Sequence, residues 1–167
     1  LLPAFSDTIL QGGSMGFGIL RAAPGAGAVL TAFLMAWMPQ KKNAGRNLLL
    51  AIAGFGVATI LFALSTNFYL SVFLLFLTGA FDNVSVVIRH SILQLLTPDT
   101  MRGRVSAVNS IFIGSSNEIG AFESGLAARF MGLVPSVIFG GAMTIGIVML
   151  TARIAPSLRK LNLKAIE

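Results

Sequence analysis

Apolar residues occur along this chain in five long runs, separated by short stretches rich in polar residues, proline or glycine. The runs cover residues 16–38, 47–65, 69–96, 105–128 and 134–153. A helix of about 20 mostly apolar residues is long enough to cross the hydrocarbon core of a bilayer. The pattern therefore predicts an all-α integral membrane protein with five transmembrane helices.

Proline and polar residues mark the predicted ends of these helices. Pro39 and Pro98 follow the first and third segments, and Pro135 lies at the start of the fifth, where a missing N–H is tolerated. Only residues 65–67 separate the second segment from the third. These two helices are therefore predicted to form a tight antiparallel hairpin.

The composition agrees with a membrane protein and excludes several other classes. Hydrophobic residues make up 55% of the chain and charged residues 11%, less than half the share of roughly 25% in an average soluble domain. The chain has no cysteine and one histidine, which excludes thiol chemistry and a cysteine-based zinc site. We therefore expect no catalytic residues, no metal and no cofactor, and we do not expect an enzyme.

The basic residues are distributed unequally between the two sides of the predicted membrane. Nine of the twelve Lys and Arg residues lie in residues 39–46, in residues 97–104 and in the tail from Arg153, whereas the opposite side holds only Arg129. Positively charged loops are retained in the cytoplasm, so the C-terminus is predicted to be cytoplasmic. The net charge of +6 is thus explained by membrane topology, and no nucleic-acid partner is expected.

The third apolar segment carries ionisable residues at membrane depth. Asp82, Ser85 and Arg89 are spaced i, i+3, i+7 on one helical face. Because an ionisable residue there costs about 2.5–3.5 kcal/mol on insertion scales, such residues usually face water or a partner. Asp82 is either a proton- or cation-binding carboxylate or a hydrogen-bonding residue that joins helices. Arg89 either lines the cytoplasmic mouth of a cavity or extends to the membrane interface.

The fourth segment is the most polar of the five. Two lines of polar residues with a spacing of seven run along it: Ser110, Asn117 and Ser124, and Asn109, Ser116 and Glu123. Glu118 lies at mid-depth at the edge of this surface, which makes its carboxyl group a candidate for proton exchange. A polar face cannot point into lipid, so it either lines an aqueous cavity or forms a static polar contact between helices.

Small residues are concentrated in the first, second and fifth segments. Membrane helices pack closely through such residues because their backbones can then approach each other. The small residues are consistent either with ordinary helix packing or with faces that slide in a protein that changes shape.

One loop and its flanking helices resemble a known family. The stretch Pro98-Asp99-Thr100-Met101-Arg102-Gly103-Arg104-Val105 resembles the cytoplasmic connection between the tenth and eleventh helices of major facilitator superfamily transporters. Residues 106–120 and 18–28 continue the resemblance to the branch that includes the enterobactin exporter and macrolide-efflux-like proteins. The loop after the first segment departs from the family pattern, because Gly45-Arg46 are present but the acidic residue of the family motif is missing.

The resemblance implies that residues 1–167 form the C-terminal half of a larger twelve-helix transporter, from the end of the seventh helix to the cytoplasmic tail after the twelfth. It implies a bacterial inner-membrane protein that exports a small molecule, drug-like or siderophore-like, by alternating access against proton entry. Its partners would be the substrate, protons, the lipid bilayer and the N-terminal half of the same chain. The candidate cavity and proton-coupling residues are Asp82, Asn109, Asn117 and Glu118, and the candidate cytoplasmic gate residues are Arg89, Arg102 and Arg104. A non-transporting membrane scaffold or sensor with the same fold and a lipid flippase remain alternatives.

Overall fold

The computed structural model describes residues 13–37 and 43–154. This part of the chain forms five long helices and contains no β-strand. The helices are α1 (Gly13–Trp37), α2 (Ala44–Leu64), α3 (Phe68–Leu96), α4 (Arg102–Met131) and α5 (Leu133–Ile154), with a short 3₁₀ helix (Asp99–Met101) before α4. Each predicted apolar segment lies almost entirely within one helix, which confirms the all-α fold.

Four helices are long and apolar enough to cross a membrane: Met15–Trp37 of α1, and all of α2, α3 and α5. α4 has 30 residues and is about 45 Å long, so it is long enough to cross a membrane. Its polar residues make its mean hydropathy too low for it to be counted among these four helices. Many large apolar side chains on the outside of the bundle are exposed, among them Phe33, Tyr69 and Phe139. Such surfaces are normal where a protein contacts lipid. The multi-pass membrane fold is therefore confirmed, and a membrane crossing by α4 stays a prediction.

The connection between α3 and α4 is shorter than the predicted loop at residues 97–104. α3 ends at Leu96, and the Met101 N–H donates to the carbonyl of Pro98 at 2.9 Å to close the 3₁₀ turn. Arg102 and Arg104 consequently lie in the first turn of α4 instead of in a loop. A positive charge is unfavourable at a helix N-terminus, and the Asp99 carboxylate offsets it through an exposed ion pair with Arg102 at 2.9 Å.

The tight turn between α2 and α3 is confirmed, and polar side chains hold it together. The Asn67 side chain accepts hydrogen bonds from the backbone N–H groups of Tyr69 and Leu70 at 3.0 and 3.4 Å, which caps α3. The buried Ser71 hydroxyl donates to the Ser65 hydroxyl at 3.0 Å. These bonds satisfy groups at the helix end and fix the antiparallel hairpin.

The helices pack in the spatial order α1, α3, α2, α5 and α4. α3 contacts both α1 and α2, α2 also contacts α5, and α4 packs mainly on α5. A buried apolar cluster joins the first three at the end that holds the α2–α3 turn, with Leu20 from α1, Phe62 from α2, and Leu74 and Leu75 from α3. α4 has no buried residue, so it is the least enclosed helix of the described bundle.

Two close helix crossings depend on glycine. At the α1–α3 crossing, a Cβ atom on Gly79 would collide with the Pro24 carbonyl, and one on Gly27 would collide with the Phe76 carbonyl. At the α2–α5 crossing, a Cβ on Gly141 would lie 2.9 Å from the Gly56 carbonyl oxygen. Close packing through small residues is thus confirmed at these two crossings.

Candidate functional site

The polar helix α4 presents most of its surface outward. Its partly buried positions include Val105, Asn109, Ile113 and Ala127, which mark the side that faces the rest of the bundle. Asn117 and Glu118 are exposed. The polar surface predicted from the sequence is therefore divided: Asn109 packs partly against the bundle, whereas Asn117 is exposed.

Glu118 lies on a different side of α4 from Asn109. Nine residues separate them, which at 3.6 residues per turn is two and a half turns and directs their side chains oppositely. The exposure of Glu118 and the partial burial of Asn109 agree with this geometry. A single cavity wall cannot contain both side chains, so the two residues have separate environments.

Asp82 lies in the middle of α3, and its side chain is exposed. The neighbouring Ser85 is buried, and its hydroxyl donates to the Asp82 backbone carbonyl at 2.8 Å. Within the described ranges, the Asp82 carboxylate makes no salt bridge. It is therefore an acidic group at membrane depth that is open to an occupant of the adjacent space.

Asn83 connects α3 to α1 beside Asp82. Its side-chain amide donates to the Thr31 hydroxyl at 3.2 Å, and this hydroxyl is 2.9 Å from the Gly27 carbonyl, to which it donates. The bond is about one turn from the glycine crossing at Gly79. Together with the glycine crossing, it holds α1 and α3 in one relative rotation, which places Asp82 next to this contact.

We expect the bond between Thr31 and Asn83 to contribute about 0.6 kcal/mol to stability, the average for hydrogen bonds between membrane helices. A double-mutant cycle with Thr31→Val and Asn83→Leu, measured by unfolding of the full-length protein in detergent, would give this coupling. Thr31→Ser keeps the hydroxyl and serves as the control. A coupling energy of zero would show that the bond does not stabilise the crossing.

The three arginines predicted to form a cytoplasmic gate lie near the same end of the bundle. Arg89 is in the last third of α3, and Arg102 and Arg104 are in the first turn of α4. All three are exposed. Arg102 pairs with Asp99, and no contact between the three arginines is present in the described part of the chain. The structure places them near one end of the bundle without joining them into a cluster.

An apolar groove that was not predicted from the sequence lies between α1 and α3. Its α1 wall is formed by Ala22, Ala23 and Ala26 and its α3 wall by Tyr69, Phe73 and Phe76, around a volume of about 550 Å³. In the sequence, the spacing i, i+4, i+7 of the three aromatic residues indicates only that they share one face of α3. This spacing alone could not reveal a groove, because the opposite wall belongs to another helix.

No candidate metal site is present among the described residues. No group of three or more His, Cys, Asp or Glu side chains within the described residues could hold an ion. The candidate chemistry therefore consists of isolated carboxylates, a polar helix face and an apolar groove.

Comparison with known proteins relates the whole chain to a transporter family. Residues 1–166 match a major facilitator superfamily model described as a transmembrane secretion effector. The chain is 30% identical over 152 residues to the enterobactin exporter of Escherichia coli O1:K1 / APEC. The aligned region covers 90% of this chain and 36% of that protein. The match to the enterobactin exporter of Shigella flexneri is also 30% identical over 152 residues, covering 90% of this chain and 37% of that protein. The chain thus spans about a third of the length of these curated relatives, and no solved structure matches it.

Proposed function

Because the chain belongs to the transmembrane secretion effector family of the major facilitator superfamily, we propose that it forms the C-terminal half of a secondary exporter. Family membership places it among transporters and not among enzymes. The proposed protein exports a small, drug-like or siderophore-like molecule by alternating access in the bacterial inner membrane. The lipid bilayer, protons and the N-terminal half of the same chain are its proposed partners.

The structure of α4 is the observation that carries this proposal. A 30-residue helix with exposed Asn117 and Glu118 and no buried residue would be unstable if lipid surrounded it. A water-filled path between two halves of a transporter supplies the polar environment that such a helix requires. A purely structural membrane helix would gain stability from apolar residues at the same positions.

Proton coupling is proposed for Asp82 and Glu118. Both carboxylates are exposed on the described bundle, and both lie far from the helix ends, on α3 and α4. A carboxylate that alternates between two sides of the membrane can take up a proton on one side and release it on the other. Asn109 and Asn117 would supply hydrogen bonds to the substrate or to water in the cavity.

A cytoplasmic C-terminus is also proposed. Arg46 and Arg104 lie in the first turns of α2 and α4, and Arg153 lies in the last turn of α5. These ends lie on one side of an antiparallel bundle, as the positive-inside rule requires of cytoplasmic ends. Arg102, in the same turn as Arg104, also supports this orientation, whereas Lys41, Lys42 and the basic residues of the tail after Arg153 lie outside the described residues. Arg89, Arg102 and Arg104 would form the cytoplasmic gate.

Replacing polar residues of α4 by apolar ones tests the transporter proposal. We expect Asn109→Leu with Asn117→Leu, in the full-length protein, to reduce export to background while the protein still inserts, because the changes remove the polar groups of the cavity wall. Export is measured as uptake of enterobactin and of a macrolide by inverted membrane vesicles with an imposed proton gradient.

Phe112→Leu with Ile119→Leu is the matched control, since both positions are exposed on α4 and remain apolar. Transport by this control should equal that of the unchanged protein. Unchanged transport in the Asn109 and Asn117 variant would contradict the proposed cavity wall. Absence of transport by every form, with the protein correctly inserted, would favour a scaffold.

A further inference from the structure

The groove between α1 and α3 has the properties of a small-molecule site. Its volume of about 550 Å³ lies within the range of about 300–1,000 Å³ that is typical of ligand pockets. The Tyr69 hydroxyl is the one side-chain polar atom among its lining residues. The site therefore favours an apolar, uncharged group, because a charged group would lose its hydration without gaining a partner.

The two walls differ in shape, and together they form a slot. The alanines of α1 have short side chains, which leave space between the two helices. Tyr69, Phe73 and Phe76 line the opposite side of this space with their aromatic rings. The Tyr69 ring packs edge-on against Phe68 with the centroids 5.9 Å apart. A slot with one aromatic wall suits a flat ring, which can stack on that wall or contact it edge-to-face.

A small molecule fits the groove better than another helix does. At the two crossings where helix backbones approach each other most closely, glycine is present on both partners, at Gly27 and Gly79 and at Gly56 and Gly141. In the groove, by contrast, the aromatic side chains of Tyr69 and Phe73 are 83% and 55% exposed. These rings would keep the backbone of a third helix too far away for similar packing.

We infer that the groove binds the uncharged aromatic portion of a small molecule and, resting on the proposed function, that this molecule is the exported substrate. Tyr69 is the second residue of α3, and Phe76 lies about 10 Å further along the helix. The groove therefore occupies the half of the bundle nearest the α2–α3 turn, which is the outer half in the proposed orientation. The phenolic hydroxyl is available to a polar substituent at that end of the ligand.

Photolabelling of the full-length protein with benzophenone, an uncharged aromatic probe, tests the inference. After irradiation in lipid nanodiscs without a proton gradient, adducts are located by peptide mass spectrometry. We expect them to concentrate on residues 19–26 and 69–76. Ala26→Trp fills the slot and should lose most of this labelling, whereas Ala32→Trp, at an exposed position of α1 outside the groove, should retain it.

A second variant separates loss of the site from loss of the fold. Phe73→Leu keeps an apolar side chain but removes a ring, so it should reduce labelling of the groove about fivefold. Phe33→Leu removes an exposed ring elsewhere on α1 and should have no effect. Excess N-phenyl-1-naphthylamine should compete with benzophenone, and excess methyl laurate should not.

Three results would overturn the assignment: adducts spread over all lipid-exposed faces, labelling unaffected by Ala26→Trp, or equal competition by methyl laurate, which would identify an acyl-chain groove. Labelling needs no transport, so its failure is distinguishable from failure of the proposed function. Intact export without labelling of the groove would contradict only this site, and labelling without export would contradict the transporter.

Discussion

Gly79→Ala is expected to destabilise the protein, although the change adds a single methyl group to a helix. The new Cβ would collide with the backbone carbonyl of Pro24, so α1 and α3 would have to separate. Overpacking of this kind costs about 1–3 kcal/mol, and it is severe here because the obstacle is backbone and cannot adopt another rotamer. The expected result is a lower thermal unfolding midpoint and reduced yield of the full-length protein in detergent.

Gly146→Ala is the matched control, because nothing lies within 4 Å of a Cβ at that position of α5. Alanine has a better helix propensity than glycine by about 1 kcal/mol, so this change should leave stability unchanged or raise it. The same chemical change is thus expected to lower stability at Gly79 but not at Gly146. Equal stability of the two proteins would show that the α1–α3 crossing is looser than described.

Glu118→Gln is expected to abolish transport driven by a proton gradient, while exchange of substrate across the membrane without a gradient continues. The amide is nearly isosteric with the carboxyl but cannot carry a proton, so it removes coupling without removing the side chain. The measurement is substrate uptake by proteoliposomes that contain the full-length protein, with and without an imposed pH difference. Asp82→Asn tests the second proposed proton carrier in the same assay.

Glu123→Gln provides the control, since this acid lies five residues further along α4 and is also exposed. It should transport as the unchanged protein does. If Glu118→Gln retains both its rate and its dependence on pH, Glu118 does not carry the coupling proton. If Asp82→Asn alone loses coupling, the proton is carried on α3, and α4 serves only to line the path.

The positions of the helices were predictable because hydropathy over about 20 residues is a local property. The tight turn at residues 65–67 was likewise visible in its polar composition, and the structure adds the Asn67 cap. The predicted loop at residues 97–104 was too long, because the 3₁₀ turn and the pair between Asp99 and Arg102 allow α4 to begin earlier. Such short-range contacts do not alter the average hydropathy on which the prediction rested.

The candidate site was less predictable than the fold. Two neighbouring lines with a spacing of seven placed Asn109 and Asn117 on one polar surface, but the spacing did not show that Asn109 is partly buried while Asn117 is open. Glu118 was expected at the edge of that surface, and the helix directs it away from Asn109. Whether one polar residue of a helix is covered depends on which neighbour packs there, and one-dimensional periodicity does not contain that information.

The sequence was sufficient for the membrane class, the approximate positions of five helices and the resemblance to a transporter family, since each depends on residues close together in the chain. Tertiary structure was needed to identify Gly27 and Gly79 as points of backbone contact, to join Thr31 to Asn83, and to form the groove between Ala26 and Phe73. Each of these features combines two helices about fifty residues apart in the chain. Their relation depends on how the helices rotate and cross, which is determined by packing of the whole bundle.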